Sequence, residues 1–165
     1  MQAKDLMQRD VLSVRPESSL AAVAQMLLKA GINNAPVIDG EGRLVGMIGL
    51  KDILRAPSRA DDGAWITRYT SLEARARAVA GTPVAQVMAR RVITTAPDTP
   101  ATEVAALLVN RGRHPIPVVA EGRVVGVIGR ADVVAAILAL VPTAHTGAAD
   151  ETAPSAGAGG SCGVA

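Results

Sequence analysis

The chain has almost no aromatic side chains: they make up 1% of it, as Trp65 and Tyr69 with no phenylalanine. A core must therefore be built from Ala, Val, Leu, Ile and Met. The stacking platforms that grip single-stranded nucleic acid have nothing to be made of. Cysteine is equally scarce. Cys162 stands alone, which excludes an internal disulfide and any cysteine-rich zinc or iron–sulfur site. The two histidines, His114 and His145, join no cluster with metal-ligand spacing and no nucleophile–base pair. Charge of one sign is missing too: 17 basic residues face 15 acidic ones, for a net charge of +2. That is no field for a polyphosphate backbone. Long apolar runs are absent. The longest, Val133 to Val141, is about half a membrane span, and the start of the chain, with Lys4, Asp5, Arg9 and Asp10, has no apolar signal core. These absences predict a soluble, cytoplasmic protein that is not an enzyme and has no metal, nucleic-acid or membrane partner.

What is present is a globular composition, 49% apolar and 19% charged over 165 residues, and an internal repeat. Met7 matches Met88 at an offset of 81. The same offset pairs Val11 with Val92, Pro16 with Pro97, Val23 with Val104, Leu27 with Leu108, Gly31 with Gly112 and Pro36 with Pro117. One residue is then lost, and at an offset of 80 Gly46 meets Gly126, Ile48 meets Ile128, Gly49 meets Gly129 and Asp52 meets Asp132. The chain thus holds two copies of one unit of about fifty residues.

Each copy reads alike. A short strand, Val11 to Val14 or Val92 to Thr95, ends at Pro16 or Pro97. A helix follows with apolar spacing at Leu20, Val23, Leu27 and at Ala101, Val104, Leu108. Ser18 or Ser19 caps the first. Asp98 or Thr99 caps the second, with Pro100 at its first helical position. A buried strand then starts at Pro36 or Pro117. It turns through Asp39–Gly42 or Ala120–Gly122 and returns over Leu44 to Ile48 or Val124 to Ile128. A second helix closes each copy from Lys51 and from Ala131. The glycines of Gly40 to Gly49 are hairpin, strand and cap glycines; no Lys-Ser or Lys-Thr ends a phosphate loop.

The expected organisation is copy 1 over 1–56, a partly helical linker over 57–81, copy 2 over 82–142 and a disordered tail over 143–165. Short helices, Lys4 to Met7 and Thr82 to Met88, open the copies. A unit this small cannot bury both faces of its sheet alone. The expected fold is therefore α/β (α+β): two β-α-β-β-α repeats packed sheet to sheet with pseudo-twofold symmetry, and clefts where they meet.

The pattern resembles a tandem pair of CBS domains, a Bateman module. The resemblance rests on Asp5-Leu6-Met7 and Val87-Met88, on Ala35-Pro36-Val37 and Ile116-Pro117-Val118, and on Gly46-Met47-Ile48-Gly49-Leu50-Lys51-Asp52 and Gly126-Val127-Ile128-Gly129-Arg130-Ala131-Asp132. It covers about residues 3–56 and 82–140. It implies a regulatory module of the stand-alone bacterial type that binds an adenosine nucleotide (AMP, ADP or ATP) between the copies, with no obligatory cofactor, and that pairs into homodimers acting on a client protein.

The family motif is Gly-apolar-x-Ser/Thr-x-x-Asp, whose acid accepts from ribose hydroxyls. Asp52 and Asp132 match the acid. Gly49 and Gly129 stand at the hydroxyl position, so each copy lacks one hydrogen-bonding side chain. Asp in a first helical turn also serves the helix start whatever the ligand. The resemblance further points to Arg130 and Lys51 for phosphate, and to Thr94, His114, Ile116 and Pro117, with Asn34 and Pro36 in the first copy, around the base. Arg130 makes the second copy the stronger expected site. The alternative is a dimerisation scaffold that has lost its ligand, for which Gly49 and Gly129 speak.

Overall fold

The computed structural model describes residues 1–55, 58–59, 65–66, 71–110 and 115–142. The elements in chain order are α1 (Ala3–Leu6), α2 (Leu20–Ala30), β1 (Asn34–Ile38), β2 (Leu44–Gly49), α3 (Leu50–Leu54), β3 (Ser58–Arg59), β4 (Trp65–Ile66), α4 (Leu72–Gly81), a 3-10 turn (Val84–Gln86), α5 (Ala101–Asn110), β5 (Ile116–Ala120), β6 (Arg123–Ile128) and α6 (Arg130–Ala139). The expected mixed fold of two repeats is present. β1 pairs antiparallel with β2, and β5 with β6.

Local chemistry sets the element ends. Ser19 accepts from the Ala22 N–H at the start of α2, and Gly31 closes it in the left-handed region at φ 65°, where a Cβ would be strained. The second hairpin turns in two residues, Glu121 at φ 50° and Gly122 at φ 77°, the positive pair that a tight hairpin needs. Thr99 does not cap α5: its hydroxyl accepts from Ala96. Pro100 precedes α5 instead of opening it, and its carbonyl accepts from Val104.

The two copies are joined by exchange of their opening segments. The Leu20 N–H, at the start of α2, donates to the Thr82 carbonyl, and the matching Ala101 N–H donates to Met1. Met47 and Ala89 exchange backbone bonds of 2.9 and 2.8 Å; their counterparts Val127 and Gln8 do the same at 3.0 and 2.9 Å. Val84 and Met88 consequently lie in the first core, with Val14, Leu20, Val23, Leu27, Val37 and Ile48. Ala3 and Leu6 lie in the second, with Val104, Leu108, Ile116, Val118 and Ile128. Each small sheet gains its missing cover from the other copy's opening residues. Gly46 and Gly126 permit the approach: a Cβ on Gly46 would lie 2.8 Å from Met88 Sδ, and one on Gly126 2.6 Å from Met7 Sδ.

The strands expected over Val11–Val14 and Val92–Thr95 shrink to single parallel bridges, Val14 with Val37 and Thr95 with Val118. Proline is the cause. Val14 donates to the Pro36 carbonyl and accepts from Ile38. Extending this ladder one way needs an N–H on Pro36, and the other way an N–H on Pro16. Neither exists. Pro117 and Pro97 truncate the second copy in the same manner. β1 begins at Asn34 and β5 at Ile116, so neither proline is the first residue of its strand. The linker, expected to be partly helical, also pairs β3 with β4; two-residue strands carry no alternation to read.

One buried group is left over. Thr95 is 7% exposed, and its Oγ1 meets no partner among the described residues. Its counterpart Val14 is buried to the same degree. Thr95→Val removes an orphaned hydroxyl and raises stability by about 1 kcal/mol in urea denaturation; a loss of stability would show that the hydroxyl is satisfied.

Candidate functional site

β1 begins where β2 ends, with Asn34 opposite Gly49. α3 starts there, and the Leu50 N–H donates to the Asn33 carbonyl at 3.0 Å. The bridge between Met47 and Ala89 brings the second copy's residues 89–93 to the same edge. Between them lies a cleft of about 510 Å³, within the size range of small-molecule sites. Met47, Leu50, Val92 and Ile93 give it apolar surface, and Asn33, Asn34, Lys51, Asp52, Arg55 and Arg91 give it polar groups.

Asp52 Oδ2 accepts from the Gly49 N–H at 2.9 Å. This is the helix-start role expected of an Asp at that position, and it leaves Oδ1 for a further donor. Asp132 repeats the bond on Gly129 at 2.6 Å. Its Oδ1 also accepts from Gln8 Nε2 at 2.8 Å. Ala89 stands where Gln8 stands and has no amide to offer Asp52. At the start of α3 two backbone donors are partnered, Gly49 by Asp52 and Leu50 by Asn33.

Gly49 is occupied space rather than a vacancy. A Cβ there would overlap Asn34 Oδ1 and lie 3.0 Å from the Asn33 carbonyl oxygen. The Asn34 carboxamide thus fills the place where the motif's hydroxyl would project. In the second copy Pro115 replaces Asn34, and among the described residues the nearest atom to a Cβ on Gly129 is Asp132 Oδ2, at 3.4 Å.

Of the residues singled out in the sequence, Asn34, Lys51 and Asp52 come together in the first cleft with Gly49 beneath them. Gly129, Arg130 and Asp132 come together at the start of α6. Thr94 is exposed. Pro36, Ile116 and Pro117 are buried in the hairpins and offer only backbone. His114 and the residues 143–165 lie outside the described residues. Arg55, Arg91 and Gln8 were not singled out. Their signal was there: Arg91 matches Asp10 and Gln8 matches Ala89, breaks in an otherwise regular repeat. Among the described residues no group of His, Cys, Asp and Glu could hold a metal ion, and no helix is long and apolar enough to cross a membrane.

The fold defines a tandem module, and its first cleft is lined by residues of both halves. The CBS domain family model matches residues 3–59 and 84–139, and the chain belongs to that family as a pair of repeats. Such pairs are in general regulatory ligand-binding modules, not catalysts. Among curated proteins, an A-adding tRNA nucleotidyltransferase of Aquifex aeolicus is 30% identical over 83% of this chain, which spans only 14% of that protein. Among solved structures, CBSX2 of Arabidopsis thaliana in complex with AMP superposes with a TM-score of 0.67 at 25% identity, covering 84% of this chain and 96% of that one. The CBS domain pair of protein MJ0100, in complex with 5′-methylthioadenosine and S-adenosyl-L-methionine, gives 0.63 at 25% identity, covering 84% and 97%.

Proposed function

We propose that the chain is a cytoplasmic sensor of an adenosine nucleotide, AMP, ADP or ATP, which binds between the copies and changes the surface offered to a client protein. The observation that carries this reading is the cleft at Asp52. A carboxylate with one oxygen to spare sits beside the cations Lys51, Arg55 and Arg91 and four apolar side chains, a combination suited to ribose, phosphate and base. The adenosine-bearing ligands of the two structural relatives supply the class. Asp52 is the ribose acceptor in this reading. Output follows from geometry, because a ligand touching both α3 and residues 89–93 couples the two copies.

Calorimetric titration with ATP, ADP, AMP, NAD and S-adenosylmethionine at millimolar concentration tests it. Heat with at least one is expected; no heat with any leaves only the ligand-free scaffold.

The same reading makes the protein a homodimer. α6 has no fully buried residue, and Ile137, Leu138 and Leu140 are 56%, 65% and 72% exposed, more apolar surface than a lone molecule needs. Light scattering at micromolar concentration should give about twice 16.8 kDa; the single-chain mass would contradict it.

A further inference from the structure

We infer that this pseudo-symmetric chain has one nucleotide site, not two: the first-copy cleft, selective for nucleosides bearing two or three phosphates. The inference rests on the nucleotide-sensor reading and deepens it.

Three differences between matched positions carry it. The first is the ribose acceptor. Asp52 has one carboxylate oxygen taken by its own helix start, whereas both oxygens of Asp132 are taken, one of them by Gln8 at 2.8 Å. A ligand at Asp132 must share that oxygen with the amide or displace it.

The second is the missing hydroxyl. Asn34 places a carboxamide over Gly49, so the first cleft keeps a polar group at that point. Pro115 has none to give Gly129.

The third is charge. Lys51, Arg55 and Arg91 line the first cleft, and none makes an ion pair with an Asp or Glu among the described residues. Their counterparts are Ala131, Ala135 and Asp10. Arg130 is a gain for the second copy, against a Leu50 counterpart, but Asp10 opposes it. Arg113 and His114 lie outside the described residues. Three cations around one acid suit a di- or triphosphate; with Asp10 in place of Arg91 the second copy repels one. The three cations stand on two segments, α3 and the exchanged stretch after Ala89. The phosphates therefore tie the copies together through charge, a link that an uncharged adenosine derivative lacks.

The test is isothermal titration of the full chain with ADP, AMP and adenosine. Asp132→Ala, Arg91→Asp and Lys51→Ala/Arg55→Ala are compared with wild type after circular dichroism shows each folded. Expected are one ADP per chain, at least tenfold weaker binding of AMP and weaker still of adenosine, and a tenfold or greater loss for Arg91→Asp and for the double variant. Asp132→Ala should stay within twofold of wild type. Two equivalent ADP sites per chain, equal affinity for ADP and adenosine, or a loss confined to Asp132→Ala would overturn the inference and leave the sensor reading standing. Absence of heat with all three ligands and with S-adenosylmethionine would overturn both.

Discussion

Leu6→Ala should lower the stability of the protein by about 2–5 kcal/mol, the usual cost of emptying a buried leucine site, and the loss should fall on the second copy. Leu6 belongs to the first repeat by sequence, yet it is buried with Val104, Leu108, Ile116, Val118 and Ile128. The hole therefore opens beneath β5 and β6, more than ninety residues away in the chain. Hydrogen exchange reads this directly. The amides of 104–108 and 116–128 should lose protection well before those of 20–27 and 35–48. Met88→Ala, in the second copy's opening segment and buried in the first core with Leu20, Leu27 and Ile48, should reverse the pattern. Equal loss in both copies, or loss in the first copy from Leu6→Ala, would contradict the exchange of opening segments.

Asp52→Ala should remove most of the stabilisation that a bound nucleotide confers. Ligand at a hundred times its dissociation constant adds about 2.7 kcal/mol to folding stability, a rise in Tm of about 5–10 °C for a domain of this size. The Asp52 carboxylate is a charged acceptor for the ribose hydroxyls, and such a bond contributes about 1.5–3 kcal/mol. Its loss weakens binding by about tenfold to a hundredfold. The variant also loses the bond from Gly49, so its unliganded Tm falls as well. The difference between liganded and unliganded melts isolates the effect. A shift in Asp52→Ala as large as in wild type would confine the carboxylate to the helix start.

Much of the fold could be read from the chain because it is written in local signals. Leucine and valine spacing marks α2 and α5, Gly31 marks the end of α2, and the hairpins follow from the turns. The exchange could not be read. Ala3 and Leu6 look like the first turn of the first repeat, and nothing local says that they face residues 104–128. The prolines were legible as strand stops, but their effect on the partner strand appears only once Val14 and Pro36 are paired. The site divides in the same way. Asp52, Lys51 and Asn34 lie on or beside one hairpin and were found together. Arg91 enters from the other copy, and the filling of the Gly49 position by Asn34 is a matter of side-chain placement that spacing does not reveal. Arg130 favours the second copy in the sequence, whereas the Gln8 bond to Asp132 and Arg91 in the first cleft favour the first.

The central claim is that a nucleotide sits between α3 and the exchanged stretch after Ala89. The most direct measurement is a titration of the isotope-labelled protein with ADP followed by backbone amide NMR. The account predicts large saturable shifts at Asn33, Asn34, Leu50 to Asp52 and Arg91 to Ile93, with small ones at Gln8 to Leu12 and Gly129 to Asp132. Shifts concentrated at Gln8 to Leu12 and Gly129 to Asp132, or none at either place, would contradict it.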